Sequence, residues 1–143
     1  MEKEFILLAR DIIRSEDFQK TKNQRHHVRG TVYGHSLKVA YLCYRHHKLF
    51  HMKMDARELV TGALLHDFYL YDRQRKDEKH RFHWLRHPRT ALENAKSRYP
   101  LTDAQQDMIR RHMFPVTPVP PKTKAGWLVC FYDKVAAVDD RFG

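Results

Sequence analysis
The run Leu64-Leu65-His66-Asp67-Phe68-Tyr69-Leu70 sets an imidazole and a carboxyl side by side inside an otherwise apolar stretch. An unpaired charge buried there would cost several kcal/mol or be forced to neutralise. Any fold that buries this run therefore has to bring it a compensating partner. Neighbouring side chains on a helix point about 100° apart, so both can still converge on one ion lying between their directions near the helix end. A divalent cation balances the carboxylate and accepts the imidazole lone pair together. The same anomaly recurs in Leu128-Val129-Cys130-Phe131-Tyr132-Asp133-Lys134-Val135-Ala136-Ala137, where Asp133 has apolar neighbours three and four residues away on both sides.

Both runs sit in a chain whose apolar residues recur at helical spacing. Phe5, Leu8, Ala9, Ile12 and Ile13 predict an amphipathic helix over Glu4 to about Phe18. Polar, glycine-containing sequence from Thr21 to Gly34 predicts a loop. A second helix is expected from Thr31 or Gly34 to Phe50, with His35 in the stripe of Val32, Val39 and Leu42. Asp55 and Glu58 form a capping-box-like start for a third helix that ends at His66-Asp67. His87-Pro88 fits a helix entry, with proline in the first turn and a stop near Pro100. Thr102 and Gln105 offer another capping box, before a helix in which Met108, Ile109 and His112 share one face. Pro115, Pro118, Pro120 and Pro121 forbid helix, and Trp127 to Val138 reads as a buried final helix. Alternating strand patterns, repeats and low-complexity tracts are absent. The expectation is an all-α, single-domain bundle of about six helices over residues 1–143, with the first helix inside residues 1–20.

Lys and Arg number 27 against 17 Asp and Glu, a net charge of +10 before any of the 11 histidines is protonated. That favours anionic partners. The basic residues are interleaved with acids, so a small phosphorylated substrate accounts for the excess without nucleic acid, which is possible but not favoured. Cys43 and Cys130 are too few for a disulfide framework, so a reducing compartment is expected. Acids precede the short apolar run at the N-terminus, unlike a secretory signal, and no apolar run approaches membrane-spanning length. A soluble cytoplasmic protein without membrane contact is expected.

His35, His66, Asp67, His112 and Asp133 thus point metal-competent groups from four predicted helices toward one core. Each taken singly has a plainer reading. A lone inward histidine is more often a hydrogen-bonded core residue, and Asp133 by itself could cap a loop or pair with an arginine. Their joint occurrence on core faces shifts the balance toward a metal.

The order His35, His66-Asp67, Asp133 resembles the defining pattern of the HD-domain superfamily of metal-dependent phosphohydrolases. Tyr33-Gly34-His35-Ser36-Leu37-Lys38-Val39-Ala40 looks like the helix bearing that family's first histidine, and Ala63-Leu64-Leu65-His66-Asp67 like its signature. The separations, 66 − 35 = 31 and 133 − 67 = 66, suit the family, and the likeness runs from about His27 to Asp139. It implies a metal held by His35, His66, Asp67 and Asp133, with His66 and Asp67 as the catalytic pair. It also implies a second ion in the two-metal branches, with His87 and His112 as ligands and Asp67 as the bridge. The plainer reading makes His87 an N-terminal cap and His112 a capping imidazole near a helix C-terminus. One or two divalent transition-metal ions are expected, and the mixed nitrogen and oxygen donors suit Mn, Fe, Co, Ni or Zn. Lys38, Arg89 and Lys134 lie close in sequence to these ligands and are candidates to hold a substrate phosphate. The basic segment 73–89 reads either as a lid or as a solvated face.

Metal-activated hydrolysis of a small phosphorylated molecule, with a nucleotide first, is the activity that the resemblance implies. Phe68-Tyr69-Leu70 departs from the cyclic di-nucleotide phosphodiesterase branch, which has a small residue and a lysine there. Two alternatives stay open. The order His, His-Asp, His, His, Asp is also similar to that of the di-iron inositol oxygenases, and a non-catalytic module that binds metal or a nucleotide would retain the same ligands.

Overall fold
The computed structural model describes residues 2–24, 30–68 and 83–142, with the side chains of 83–87 and 141–142 outside the description. Among the described residues the chain is helical throughout and contains no strand element: α1 (Lys3–Arg14), α2 (Glu16–Gln19), α3 (Val32–Leu49), α4 (Ala56–Leu65), α5 (His83–Arg98), α6 (Asp103–Arg111) and α7 (Lys124–Phe142). The all-α architecture expected from periodicity is what is found.

The first predicted helix is two. Ser15 leaves the helical region at φ −65°, ψ 141°. Its hydroxyl donates to the Ile12 carbonyl at 2.7 Å and accepts from the Phe18 amide at 3.4 Å, so one side chain ends α1 and starts α2. The bend lets Phe5, Ala9 and Phe18 all reach the core. A 3-10 turn, Lys20–Asn23, follows where a loop was expected.

Thr31 caps α3 by accepting from the Gly34 amide at 3.0 Å. Val32, His35, Ser36, Val39, Ala40 and Cys43 are buried along one face, so His35 does occupy an inward position. Asp55 caps α4, accepting from the Arg57 amide at 2.9 Å. That helix is central, packing against α1, α3 and α6. Leu59, Val60, Ala63, Leu64 and Leu65 are fully buried. Gly62 permits the approach to α6: a Cβ there would lie 2.6 Å from the sulfur of the fully buried Met108.

Two expectations change along α5. The helix begins at His83, four residues before the expected entry, and carries Pro88 within it rather than in its first turn. Proline keeps φ near the helical value, but at this position it cannot donate to the carbonyl four residues back and its ring crowds that carbonyl. The excursion expected before this helix falls largely on residues 69–82, which lie outside the described residues.

The capping box at Thr102 and Gln105 forms in full, and the Gln105 amide also donates to the Glu58 carbonyl at 3.2 Å, tying α6 to α4. The start of α7 is fixed by Asp107. Its carboxylate accepts from the Lys122 and Thr123 amides and from the Thr123 hydroxyl, and that hydroxyl in turn accepts from the Gly126 amide at 2.9 Å. Asp107→Ala removes this knot and is expected to cost about 1–2 kcal/mol, the range of a lost helix cap. Urea unfolding would measure it, and an unchanged midpoint would mean that the prolines alone hold the connector. Along its outer side α7 exposes Trp127, Phe131, Val135 and Val138, while Ala125, Leu128, Val129 and Ala136 pack inward.

Candidate metal centre
His66 and His112 are placed by the same local device. Each is the C-cap of its helix, His66 after α4 and His112 after α6. Each donates its Nδ1–H to the carbonyl three residues back, His66 to Ala63 at 2.6 Å and His112 to Ile109 at 2.7 Å. The last turn of a helix has carbonyls without intrahelical donors, and the imidazole satisfies one of them. The same bond fixes the tautomer, leaving the Nε2 lone pair aimed beyond the helix end. Capping and ligation, set against each other as readings of His112, are therefore compatible: the cap is what orients the ligand atom.

The third imidazole, His35, comes from the second turn of α3, and its side chain is fully buried. Its Nε2 lies 2.8 Å from Asp133 Oδ1, and the Nε2 of His66 lies 3.1 Å from the same oxygen. The rings of His35 and His66 are 5.4 Å apart, and those of His66 and His112 are 4.8 Å apart. Asp67 faces His112, with Oδ1 at 3.8 Å from Nε2. Two sets of three potential ligand atoms result: His35, His66 and Asp133, and His66, Asp67 and His112, each within 4.8 Å of one another. Five of the six expected ligands therefore meet at one place. His87 lies in α5, but its side chain falls outside the described residues.

The electrostatics follow from crowding. Burial alone would push the Asp133 carboxyl up, but hydrogen bonds from His35 and His66 hold it well below the usual carboxylate range. Burial alone would push His66 down, and the hydrogen bond to Asp133 with the charges of Asp67 and Asp133 raises it instead. Two imidazoles aimed at one carboxylate oxygen form a set in which protons occupy the positions a cation would take. Borderline nitrogen donors mixed with hard oxygens, buried and convergent, fit a divalent transition metal. Of the Asp67, Asp133, His35, His66 and His112 side chains, Asp133 is the most open, at 20% exposed against 3% for Asp67.

The residue shared by the two sets is His66 rather than Asp67. A single Nε2 lone pair serves one ion, whereas a carboxylate has two oxygens to offer.

The expected phosphate-binding residues are placed differently from one another. Lys38 donates to Asp139 at 2.9 Å and to Asp140 at 2.5 Å, so its charge is already paired. Lys134 donates to the His112 and Cys130 carbonyls at 3.1 and 3.2 Å, bracing the end of α6 against α7. Arg89 is exposed on α5. Asp139 and Asp140 escaped the sequence reading. The spacing 140 − 133 = 7 is two helical turns, which puts Asp140 on the face of Asp133, and that was the available signal.

No curated protein matches the chain. The family model described as HD domain matches residues 32–138, which contain all six expected ligands. The chain belongs to the HD domain family, whose members are mostly metal-dependent hydrolases.

Proposed function
We propose that this protein is a cytoplasmic metal-dependent phosphohydrolase that acts on a small phosphorylated substrate, a nucleotide first. The observation that carries the reading is the convergence of the Nε2 atoms of His35 and His66 on one oxygen of Asp133, with Asp67 and His112 alongside. In this reading His35, His66, Asp67 and Asp133 hold one ion. Asp67, His112 and His87 would hold a second. A divalent ion bound there would supply the Lewis acidity that hydrolysis of a phosphoester needs.

The chain's own residues do the rest. Ala63 and Ile109 hold two imidazoles in the tautomer whose lone pairs face the ion. Burial of His35, His66 and Asp67 keeps bulk water from the ligand face. Arg110 and Arg111 immediately precede His112, and Arg89 lies near enough that burial together with repulsion from Arg111 and Arg89 lowers the Arg110 guanidinium. That cationic group supports an anionic substrate. Both cysteines are free, as suits a reducing compartment, and no helix among the described residues is long and apolar enough to cross a membrane.

The test pairs metal content with a substrate panel. Protein purified without added metal is expected to carry one or two transition-metal ions. It is then expected to release phosphate from nucleoside phosphates, cyclic nucleotides or p-nitrophenyl phosphate with Mn, Co, Ni, Zn or Fe, and to lose that activity with a chelator. Consumption of dioxygen with iron and no phosphate release would replace this reading with an oxygenase. Retained metal without turnover of any kind would replace it with a binding module.

A further inference from the structure
We infer that Asp140, clamped by Lys38, is the positioning carboxylate of His35, so that α7 grips this imidazole at both nitrogens and fixes the direction of its ligand atom. The inference rests on the metal-centre reading above. His66 and His112 bond carbonyls in the last turns of their own helices, a position that His35 does not hold. It sits inside α3, where the carbonyl one turn back is occupied by the helix's own hydrogen bonding. A buried ring in that position needs an acceptor from another element. Asp140 Oδ2 supplies it, 3.4 Å from His35 Nδ1, while Asp133, two turns earlier on α7, faces Nε2 at 2.8 Å.

Asp140 is itself held. Lys38 lies one turn beyond His35 on α3 and donates to Asp140 Oδ1 at 2.5 Å and to Asp139 Oδ2 at 2.9 Å. One carboxylate oxygen therefore faces the lysine and the other the imidazole. The side chain is only 13% exposed, so water competes weakly for it. A carboxylate behind a ligating imidazole both fixes the ring and makes the opposite nitrogen a stronger donor than a backbone carbonyl does. His35 is thus the best-supported donor in the set that includes Asp133.

The test measures Co²⁺ affinity and the Co²⁺ ligand-field absorption of the full chain, beside urea unfolding of the metal-free form. Asp140→Ala is expected to weaken Co²⁺ binding about tenfold to a hundredfold, the usual effect of losing an outer-shell partner, and to alter the absorption band. Asp140→Asn keeps an acceptor without the charge and should fall between the two. Asp139→Ala removes the other partner of Lys38 without touching His35, and should bind Co²⁺ within about twofold of the parent. Parental affinity in Asp140→Ala would overturn the inference. So would an equal loss in Asp139→Ala, which would assign the effect to the docking of α3 on α7. If Asp140→Ala does not fold, Asp140→Asn decides, and parental affinity there overturns the inference. A parent that binds no Co²⁺ would instead remove the metal centre itself, and this inference with it.

Discussion

Asp133→Ala is expected to give a folded protein that no longer retains metal and, on the function proposed above, releases phosphate only at background rate, since the Lewis acid that would activate water is gone. Among the described residues, Asp133 is the group on which two imidazole nitrogens converge, and the deletion leaves His35 and His66 facing a gap. Metal affinity should drop by at least the roughly hundredfold that bounds the loss of an outer-shell partner, because here a direct ligand is removed. Stability should respond less, and its response should depend on pH. Below about pH 6.5 the carboxylate accepts from a His66 imidazole that carries a proton on Nε2 as well, and losing such a charge-assisted bond costs about 1.5–3 kcal/mol. As pH rises and His66 gives up that proton, the same deletion costs less. Asp133→Asn separates charge from shape: the amide fits the space but supplies a poor metal ligand, so it should resemble Ala in metal content and the parent in unfolding at pH 8. Metal content by mass spectrometry and urea unfolding at pH 6 and pH 8 check this. A variant that keeps its metal would show that Asp133 holds protons only.

How much of this was readable in advance depends on the range of the interaction. Helical spacing placed His35 on the buried face of α3 and Asp133 among apolar neighbours on α7, because those are facts about one helix and its own period. The capping signals at Asp55 and Thr102 were local too, and each forms as a side-chain bond within its own first turn. Lys38 was read as a phosphate ligand because it follows His35 by one turn. What decides its partner is the crossing of α3 and α7, about a hundred residues apart in the chain, which brings Asp139 and Asp140 over it. The partners of Lys134 are set the same way: the packing of α7 on α6 turns it toward the end of α6. The break at Ser15 hides inside a continuous apolar stripe, since a hydroxyl that closes one helix and opens another leaves the periodicity unchanged on both sides. His112 shows the converse. Its two readings could not be ranked from sequence because a single imidazole satisfies both, one at each nitrogen.

Protons and metal compete for the same atoms, which sets a second large effect. Asp133 has its folded pKa depressed, so its contribution is present above the unfolded value of about 3.9 and is lost as pH falls through the folded one. His66 has its folded pKa raised, so its contribution is present below the unfolded value of about 6.5 and is lost as pH rises through the folded one. The metal-free protein is therefore expected to be most stable between about pH 4 and 6.5, and to weaken on the alkaline side as the His66 imidazole gives up its proton between two carboxylates. Metal reverses the alkaline arm, because its ligands must be deprotonated and its affinity grows as protons leave. At pH 8, an ion present at a thousand times its dissociation constant adds about 4 kcal/mol, which for a domain of this size raises the melting temperature by roughly 10 °C. At pH 5 the same concentration should shift it far less. Melting curves from pH 4.5 to 8.5, with Zn²⁺ and with chelator, measure the divergence. Curves that stay parallel would mean that no proton leaves when the ion binds, and would place any bound metal away from His35, His66 and Asp133.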